Sequence, residues 1–252
     1  MVYAKSSKRT NFSPFYNRYQ PKNGMKSKIK IDVVSDVVCP WCYIGKRRLE
    51  NAMERLSGEI DFDVQYHPFE LNPDMPPTGL DQRAYLTRKF GDDDRYTELT
   101  SRVTEVAAQE GLTFDFDRQR VSPNTRKLHA IIQLGQAKGL QKEIVEVFYN
   151  AYFTSGVDLS DDENIVKGAL EAGLDEDSVR DVLKDERKLA DIGAAEQEIY
   201  KLGITGVPFF IINNKYGISG AQTADTFEKA LRDIGNQAVE AATACEPDQK
   251  NC

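Results

Sequence analysis

The hydrophobic residues between positions 29 and 66 change period twice, and these changes predict a strand, a helix and a second strand. Positions 29–34 are mostly β-branched, which is typical of a buried strand. Between about residues 42 and 56, apolar residues recur every three or four positions and form one face of a helix. Residues 61–66 alternate between polar and apolar side chains, as a half-buried strand does. The chain therefore opens with a β-α-β unit.

The pattern is helical throughout the next part of the chain, from Leu80 to Gly203. Apolar residues keep the helical period there, and glycines separate the segments. Ser160 and Glu163 have the spacing of a capping box, with Ser160 as the expected N-cap. The predicted helices cover about residues 81–90, 94–110, 123–138, 141–154, 162–172, 176–184 and 185–202.

Strand character returns at residues 207–214, followed by a hairpin turn at Asn213-Asn214-Lys215 and a short strand at 216–219. A helix of about residues 223–234 comes next. The pattern predicts an α/β protein in which one sheet domain carries a large, all-helical insertion domain. The expected boundaries are 1–28 for a basic tail or extension, 29–76 and 204–236 for the two parts of the sheet domain, 77–203 for the insertion, and 237–252 for a loose C-terminal tail.

The bulk composition limits the classes of function. The chain has 252 residues, of which 40% are hydrophobic, enough for a sizeable core. The net charge of −7 argues against a general nucleic-acid-binding protein. No apolar run is long enough for a membrane span, so no membrane partner is expected. The sequence leaves both a monomer and a homodimer open.

Basic residues are concentrated at the N-terminus, because residues 1–31 hold eight lysines and arginines and no acidic residue. This segment lacks the apolar core of a secretory signal, which favours a cytoplasmic location. Three interpretations are open: a solvated basic tail, an organelle transit peptide, or extra sequence upstream of a later start, in which case residues 1–24 are not native. Met25, just before the first predicted strand, favours the last.

Two of the four cysteines, Cys39 and Cys42, lie between the first predicted strand and its helix, separated by Pro40 and Trp41. Cys39 is expected just before the first helical turn, where unpaired amide groups and the helix dipole stabilise an anion. Pro40 suits the first helical position because the N–H that it lacks would have no partner. Cys39 is therefore the expected attacking thiolate and Cys42 the expected resolving thiol.

Other interpretations of this pair remain open. Both cysteines could be buried and unreactive. A zinc site needs about four ligands, and the remaining candidates are Cys245 and Cys252, because the chain has only two histidines, His67 and His129. Since Cys245 and Cys252 lie in the expected loose C-terminal tail, a zinc site is not favoured. Cys245 and Cys252 could instead form a second redox pair that exchanges with the first.

A second candidate feature is the Val207-Pro208 step, which opens the later strand. Proline is tolerated at the first residue of a strand. A cis peptide bond would explain a proline held between Gly206 and two phenylalanines. An ordinary trans proline is the alternative.

Together these motifs resemble the thioredoxin superfamily: a strand, CPWC, a helix, a helical insertion, and TGVP before a β-β-α unit. The helical insertion resembles that of the DsbA-like group. The stretches DVVCPWCYIG, HPFELNP, NT-x-x-x-H and GVPFFIINNKYGISGAQ resemble the FrnE-like branch, which is related to 2-hydroxychromene-2-carboxylate isomerases and kappa-class glutathione transferases. The resemblance covers about residues 29–235 and implies a thioredoxin fold.

The resemblance also implies roles for single residues. Cys39 would be the nucleophile, Cys42 the resolving thiol, and Pro208 a cis-proline that faces them. The main chain before the proline would pair with an extended substrate, a mode of binding that tolerates many sequences. His129 could assist proton transfer to a leaving thiolate or be a hydrogen-bonded structural residue. The expected substrate-binding residues are Pro40, Trp41, Val207, Phe209, Asn124 and His129.

The sequence departs from its relatives in two ways. Periplasmic DsbA-type oxidants carry Pro-His between the cysteines, where this chain has Pro40-Trp41. A neutral indole cannot assist a thiolate as an imidazolium would, so we expect a less oxidising couple. The isomerases and glutathione transferases use serine in place of Cys39, which weighs against their chemistry here. The basic run after the pair is expected to form a solvated helix face: Lys46, Arg47 and Arg48.

The leading hypothesis is a cytoplasmic thiol–disulfide oxidoreductase that acts through Cys39 and Cys42. It needs no bound cofactor, and its partners would be protein disulfides or dithiols, with glutathione as a possible co-substrate. A glutathione-dependent isomerase or transferase acting on a small aromatic or polyketide-like molecule is the second hypothesis. A holdase chaperone with an apolar groove in the insertion is the third.

Overall fold

A four-stranded sheet forms the centre of the computed structural model, which describes residues 26–244. Its strands are β1 (Ser27–Ser35), β2 (Ile60–Pro68), β5 (Phe209–Ile212) and β6 (Tyr216–Ser219), in the order β2-β1-β5-β6. Strand β1 pairs in parallel with β2 and antiparallel with β5, and β5 pairs antiparallel with β6. The predicted β-α-β and β-β-α units therefore form one sheet.

The two faces of the sheet are covered by different helices, α1 (Pro40–Leu56) and α9 (Ala224–Ala244) on one side and α8 (Glu186–Lys201) on the other. Ile29, Ile31 and Val33 of β1 point into the larger core, which α1 and α9 close. Val34, next along the strand, points to the opposite face and packs with Ile199 of α8. This alternation is what a strand buried on both faces requires.

The segment between the two halves of the sheet is mainly helical, and each predicted helix is present within a few residues. A π-helical turn, Asn150–Thr154, continues the fifth helix without a break. The helices of this insertion are α2 (Gln82–Phe90), α3 (Asp93–Gln109), α4 (Arg126–Gln136), α5 (Gln141–Tyr149), α6 (Asp162–Glu171), α7 (Glu176–Lys184) and α8.

The prediction of an all-helical insertion is wrong in one detail. Strands β3 (Leu80–Asp81) and β4 (Val121–Ser122) pair antiparallel within it. Each strand has two residues, too few for a period of two to be recognised in the sequence.

The predicted capping box at Ser160 is also wrong. The N-cap of α6 is Asp161, whose carboxylate accepts a hydrogen bond from the Glu163 amide at 3.0 Å. Ser160 instead donates its hydroxyl to Asp158 at 2.6 Å. Aspartate caps a helix as well as serine does, so Asp161, the residue after Ser160, can serve as the N-cap.

The C-terminal helix is longer than predicted. Helix α9 continues to Ala244, whereas the sequence predicted an end near residue 234 and a loose tail from 237. Residues 235–244 contain several alanines, which have the highest helix propensity and extend the helix. At the other end, β1 already begins at Ser27, inside the segment expected to be a tail. In the described range 26–244, no helix has the length and apolar character needed to cross a membrane.

Candidate active site

The Cys39–Cys42 pair lies at the start of α1, as the sequence predicted. Cys39 is the N-cap residue with an extended backbone, and Pro40 is the first helical residue. The Cys39 amide donates to the Asp36 carbonyl at 3.1 Å, which closes a tight turn between β1 and the helix. The Cys39 side chain therefore lies at the positive end of the helix dipole, where an anion is stabilised.

The Val207-Pro208 step faces Cys39 from the start of β5. The peptide bond between Val207 and Pro208 is cis. The Cys39 thiol donates a hydrogen bond to the Val207 carbonyl, with 3.8 Å between Sγ and O. Gly45 of α1 permits this approach, because a Cβ there would lie 3.2 Å from both Pro208 Cγ and Phe210 Cζ.

The two thiols differ in environment. Cys39 is 5% exposed at the surface of the turn and Cys42 is 2% exposed. Burial raises the pKa of the Cys42 thiol well above its ordinary value, and the hydrogen bond and charge of Cys39 raise this pKa further. The environment of the Cys42 thiol therefore favours its protonated form.

The residues flanking the pair differ in accessibility. Trp41 is 39% exposed and forms an apolar surface beside Cys39. Phe209 is partly buried against the smaller core that contains Val34. Pro40 and Val207 are also only partly buried. Of these four residues, predicted to bind substrate, Val207 contacts the Cys39 thiol through its carbonyl, and Pro40 and Trp41 follow Cys39 in the first turn of α1. Phe209 packs in the smaller core instead.

Asn124 and His129, the other predicted substrate-binding residues, bond within the protein. The Asn124 amide donates to the Met75 carbonyl at 2.7 Å and accepts from the Arg126 amide at 3.0 Å, at the start of α4. His129 is buried, with Nε2 at 3.1 Å from the Phe69 carbonyl and 3.5 Å from Asp36 Oδ1. His129 therefore lies beneath the turn that precedes Cys39.

Two residues at the site were missed in the sequence. Asp36 is fully buried, and its carbonyl accepts from Cys39. The Tyr149 hydroxyl, at the end of α5, donates to the same carbonyl at 3.4 Å. The position of Asp36 between β1 and Cys39 was a usable signal. No sequence signal indicated Tyr149, because 113 positions separate it from Asp36.

The basic run on α1 is not a uniformly solvated helix face, so that prediction is wrong. Lys46 is 2% exposed and donates to Glu50 and Glu146. Arg47 also pairs with Glu146, and Arg48 pairs with Glu110 of the cap of α3 at 2.6 Å. The cause is packing: this turn of α1 faces the helical insertion instead of solvent.

His67, the other histidine of the chain, pairs with Asp32 at 2.7 Å. Within residues 26–244, no group of three or more histidines, cysteines and acidic residues could hold a metal ion. Cys245 and Cys252, the predicted second pair, lie outside the described residues. The zinc alternative and the tail pair stay predictions.

Comparison with known proteins identifies the fold. A family model described as a DSBA-like thioredoxin domain matches residues 30–232. YwbO of Bacillus subtilis, an uncharacterised protein, is 29% identical over 207 residues, which are 81% of this chain and 96% of YwbO. The crystal structure of a probable DsbA oxidoreductase from Streptomyces coelicolor is 33% identical, covers 89% of this chain and 94% of its own, and has a TM-score of 0.75.

Two more distant structures share the fold. A 2-hydroxychromene-2-carboxylate isomerase is 13% identical, with a TM-score of 0.60 and coverage of 86% of this chain and 100% of its own. The cytosolic disulfide reductase DsbM of Pseudomonas aeruginosa, solved with GSH, is 18% identical, with a TM-score of 0.58 and coverage of 81% and 98%. The predicted thioredoxin fold and DsbA-like resemblance are confirmed, and the FrnE-like branch stays a prediction. The chain belongs to the family of DSBA-like thioredoxin domains, whose oxidoreductases are thiol enzymes.

Proposed function

We propose that this protein is a thiol–disulfide oxidoreductase that works through Cys39 and Cys42. The observation that carries the proposal is the position of Cys39, at the N-cap of α1 and 3.8 Å from the carbonyl before the cis-proline. A thiol at a helix N-terminus, with a buried second thiol in the next turn, suits attack followed by resolution.

The reaction proceeds in two exchanges. The Cys39 thiolate attacks one sulfur of a substrate disulfide, forms a mixed disulfide and releases the other substrate sulfur as a thiolate, which takes up a proton. Cys42 then loses its proton and attacks the Cys39 sulfur. This step forms the Cys39–Cys42 disulfide and releases the second substrate thiol, so two electrons pass from the pair to the substrate. The reverse sequence oxidises a dithiol.

Substrate recognition is proposed to rest on the main chain at Val207. Strand pairing of β5 begins at Phe209, so the residue before Pro208 precedes the ladder. An extended peptide could align there, with the exposed Trp41 indole as an apolar contact. Main-chain recognition suits an enzyme that acts on disulfides in many proteins.

Glutathione is the proposed thiol that returns the pair to the dithiol form, and a reducing cytoplasm is the proposed compartment. The related fold of DsbM, a cytosolic disulfide reductase solved with GSH, supports this choice. Two glutathione molecules would supply the two electrons and become glutathione disulfide.

Reduction of insulin disulfides by reduced glutathione tests the proposal. We expect the wild-type protein to accelerate the reaction and Cys39→Ser to abolish the acceleration. Cys42→Ser should accumulate a mixed disulfide at Cys39, detectable by mass spectrometry. His67→Gln, which changes a histidine paired with Asp32, serves as a control with full activity. Reduction that survives Cys39→Ser would overturn the proposal.

The same variants separate the remaining hypotheses. A glutathione-dependent isomerase would act on a small molecule without forming a Cys39–Cys42 disulfide. A holdase chaperone would suppress aggregation equally well when both cysteines are serine. Either result, together with absent insulin reduction, would replace the proposed function.

A further inference from the structure

Asp36 connects the active-site turn to groups on both sides of it. Its carbonyl accepts from the Cys39 amide at 3.1 Å and from the Tyr149 hydroxyl at 3.4 Å. Its carboxylate accepts from the Leu71 amide at 2.7 Å and from the Val38 amide at 3.4 Å. Asp36 has no exposed surface, so all of these contacts are made inside the protein.

The charge of Asp36 acts on Cys42. A negative charge opposes the formation of a second negative charge nearby. The Asp36 carboxylate accordingly contributes to the raised pKa of Cys42, after burial and the neighbouring Cys39, whereas a hydrogen bond with the Asp36 backbone lowers it. The position and charge of Asp36 therefore influence how readily Cys42 becomes a thiolate.

The helical insertion supplies two side chains to Asp36. His129 of α4 approaches the carboxylate at 3.5 Å. Tyr149, the last residue of α5, approaches the carbonyl and stacks on Tyr43 of α1 with ring centroids 4.8 Å apart. Burial raises the pKa of Tyr149 well above its ordinary value, and the nearby Cys42 and Cys39 raise it further, so its hydroxyl remains a donor.

Other charged groups face this region from neighbouring elements. Glu196 of α8 is buried and accepts from the Glu70 amide at 2.6 Å. Glu70, in the segment after β2, accepts from Arg126 of α4 at 2.8 Å. Burial raises the pKa of Glu196, the hydrogen bond from the Glu70 amide and the nearby His129 oppose this effect, and the charges of Glu70 and Asp36 add to it. Besides the Leu71 and Val38 amides, His129 is the side chain that approaches the Asp36 carboxylate, at 3.5 Å.

We infer that Tyr149 and His129 are positioning residues through which the helical insertion controls closure of the Cys39–Cys42 disulfide, acting through Asp36. This inference rests on the proposed function. Tyr149 fixes the Asp36 carbonyl, which accepts from the Cys39 amide. It thereby fixes the position of Cys39 relative to Cys42. His129, 3.5 Å from the Asp36 carboxylate, restricts the position of this carboxylate. The attack by Cys39 on the substrate disulfide does not depend on Tyr149 or His129, whereas the attack by Cys42 on the mixed disulfide does.

Two single-step reactions with oxidised glutathione test the inference. Attack on this disulfide forms a Cys39–glutathione mixed disulfide and releases one glutathione thiolate. Closure by the Cys42 thiolate then forms the Cys39–Cys42 bond and releases the second glutathione. The first rate is measured in a Cys42→Ser background and the second in protein that retains Cys42, by rapid quenching and mass spectrometry.

Tyr149→Phe and His129→Gln should slow closure about tenfold each, the rate equivalent of one lost hydrogen bond. The rate of mixed-disulfide formation should stay within about twofold of the parent rate, which corresponds to a change in barrier of less than RT. Asp36→Asn should shift alkylation of Cys42 in a Cys39→Ser background to lower pH, because the opposing charge is removed. A merely structural role for these residues would not separate the two steps or move this pH profile.

Two matched controls are available. Tyr152→Phe removes the hydroxyl of a second buried tyrosine, in the π-helical turn that follows Tyr149. His67→Gln changes a histidine of β2 that pairs with Asp32 of β1. Both should close the disulfide at the parent rate.

The outcomes distinguish the inference from the proposed function. If the wild-type protein forms no mixed disulfide at Cys39, the proposed function fails. If it forms and closes the disulfide, and the Tyr149 and His129 variants close it at the parent rate, only the inference fails. Equal slowing of both steps would also overturn the inference, because it would indicate general loss of structure.

Discussion

Lys46 and Glu146 show how single charges join the active-site helix to the insertion. Lys46 is 2% exposed, and its ammonium group donates to Glu50 at 3.0 Å and to Glu146. Glu146 also accepts from the Tyr43 hydroxyl and from Arg47, each at 2.8 Å. A buried ammonium group without its carboxylate partners is costly, so these bonds stabilise the contact between α1 and α5.

Replacing Glu146 with glutamine should lower the free energy of unfolding by about 1–2 kcal/mol at neutral pH, because charge-assisted bonds to Lys46 and Arg47 are lost. The estimate is modest because the Glu146 side chain is 36% exposed and solvent screens it. Urea unfolding measures the change. Glu143→Gln, an exposed site on the same helix, should have little effect.

The destabilisation should depend on pH. Burial alone would raise the pKa of Glu146, but the charge of Lys46 and the hydrogen bonds that Glu146 accepts lower it overall. A lowered pKa contributes stability above the ordinary glutamate value of 4.5, and this stability is lost as the pH falls through the folded-state value. The difference between Glu146→Gln and the wild type should therefore shrink below pH 4.5. A constant difference would contradict this assignment.

The β5–β6 hairpin shows how a turn can be read from sequence and then tested. Asn213 and Asn214 have φ values of 51° and 55°, the left-handed region that the two central residues of a type I′ turn require, and the Lys215 amide donates to the Ile212 carbonyl at 3.0 Å. Asn213 also bonds to β1, since its amide donates to the Lys30 carbonyl and its side chain accepts from the Lys30 amide, both at 2.9 Å. The turn therefore holds the hairpin in register against β1.

Asn213→Ala should lower the free energy of unfolding by about 1–3 kcal/mol, because a hydrogen bond is lost and alanine is strained at positive φ. Asn214→Gly should be neutral or raise it by up to about 1 kcal/mol, because glycine adopts this conformation without strain. Thermal and urea unfolding of both variants provide the measurement. Equal effects of the two substitutions would contradict the assignment of the bonds to Asn213.

Regular elements were predictable because their side chains repeat. The β1–α1 junction followed from a β-branched run, a proline at the first helical position and Cys39 before it. The two-residue strands β3 and β4 left no period to recognise. Burial of Lys46 was not predictable either, because a charged residue on a helix is assigned to solvent unless the packing partner is known.

The contacts that make the candidate site join distant parts of the chain. Cys39 and Val207 are 168 positions apart, and Asp36 and Tyr149 are 113 apart. The contact between Cys39 and Val207 was predictable from the CPWC and TGVP motifs. The contact between Asp36 and Tyr149 depends on how the insertion packs on the sheet, which no local sequence pattern specifies.

At the scale of the whole molecule, α9 runs away from the active site. It starts near Ala221, whose carbonyl bonds Arg48 of α1, and reaches the opposite end of the sheet at Gly235. A Cβ on Gly235 would lie 3.1 Å from Ser27 Oγ, at the start of β1.

The tail cysteines, Cys245 and Cys252, follow the end of α9 and lie outside the described residues. Replacing both with serine tests whether they exchange with Cys39 and Cys42.

Equilibration of the protein with graded ratios of reduced and oxidised glutathione, followed by alkylation and mass spectrometry, tests the central claim most directly. We predict that Cys39 and Cys42 are oxidised together as one two-electron couple, at a potential more negative than the roughly −120 mV of DsbA. A variant with Cys245 and Cys252 replaced by serine should give the same midpoint. Cysteines that remain fully alkylated at every ratio, or that form only separate mixed disulfides with glutathione, would contradict the claim.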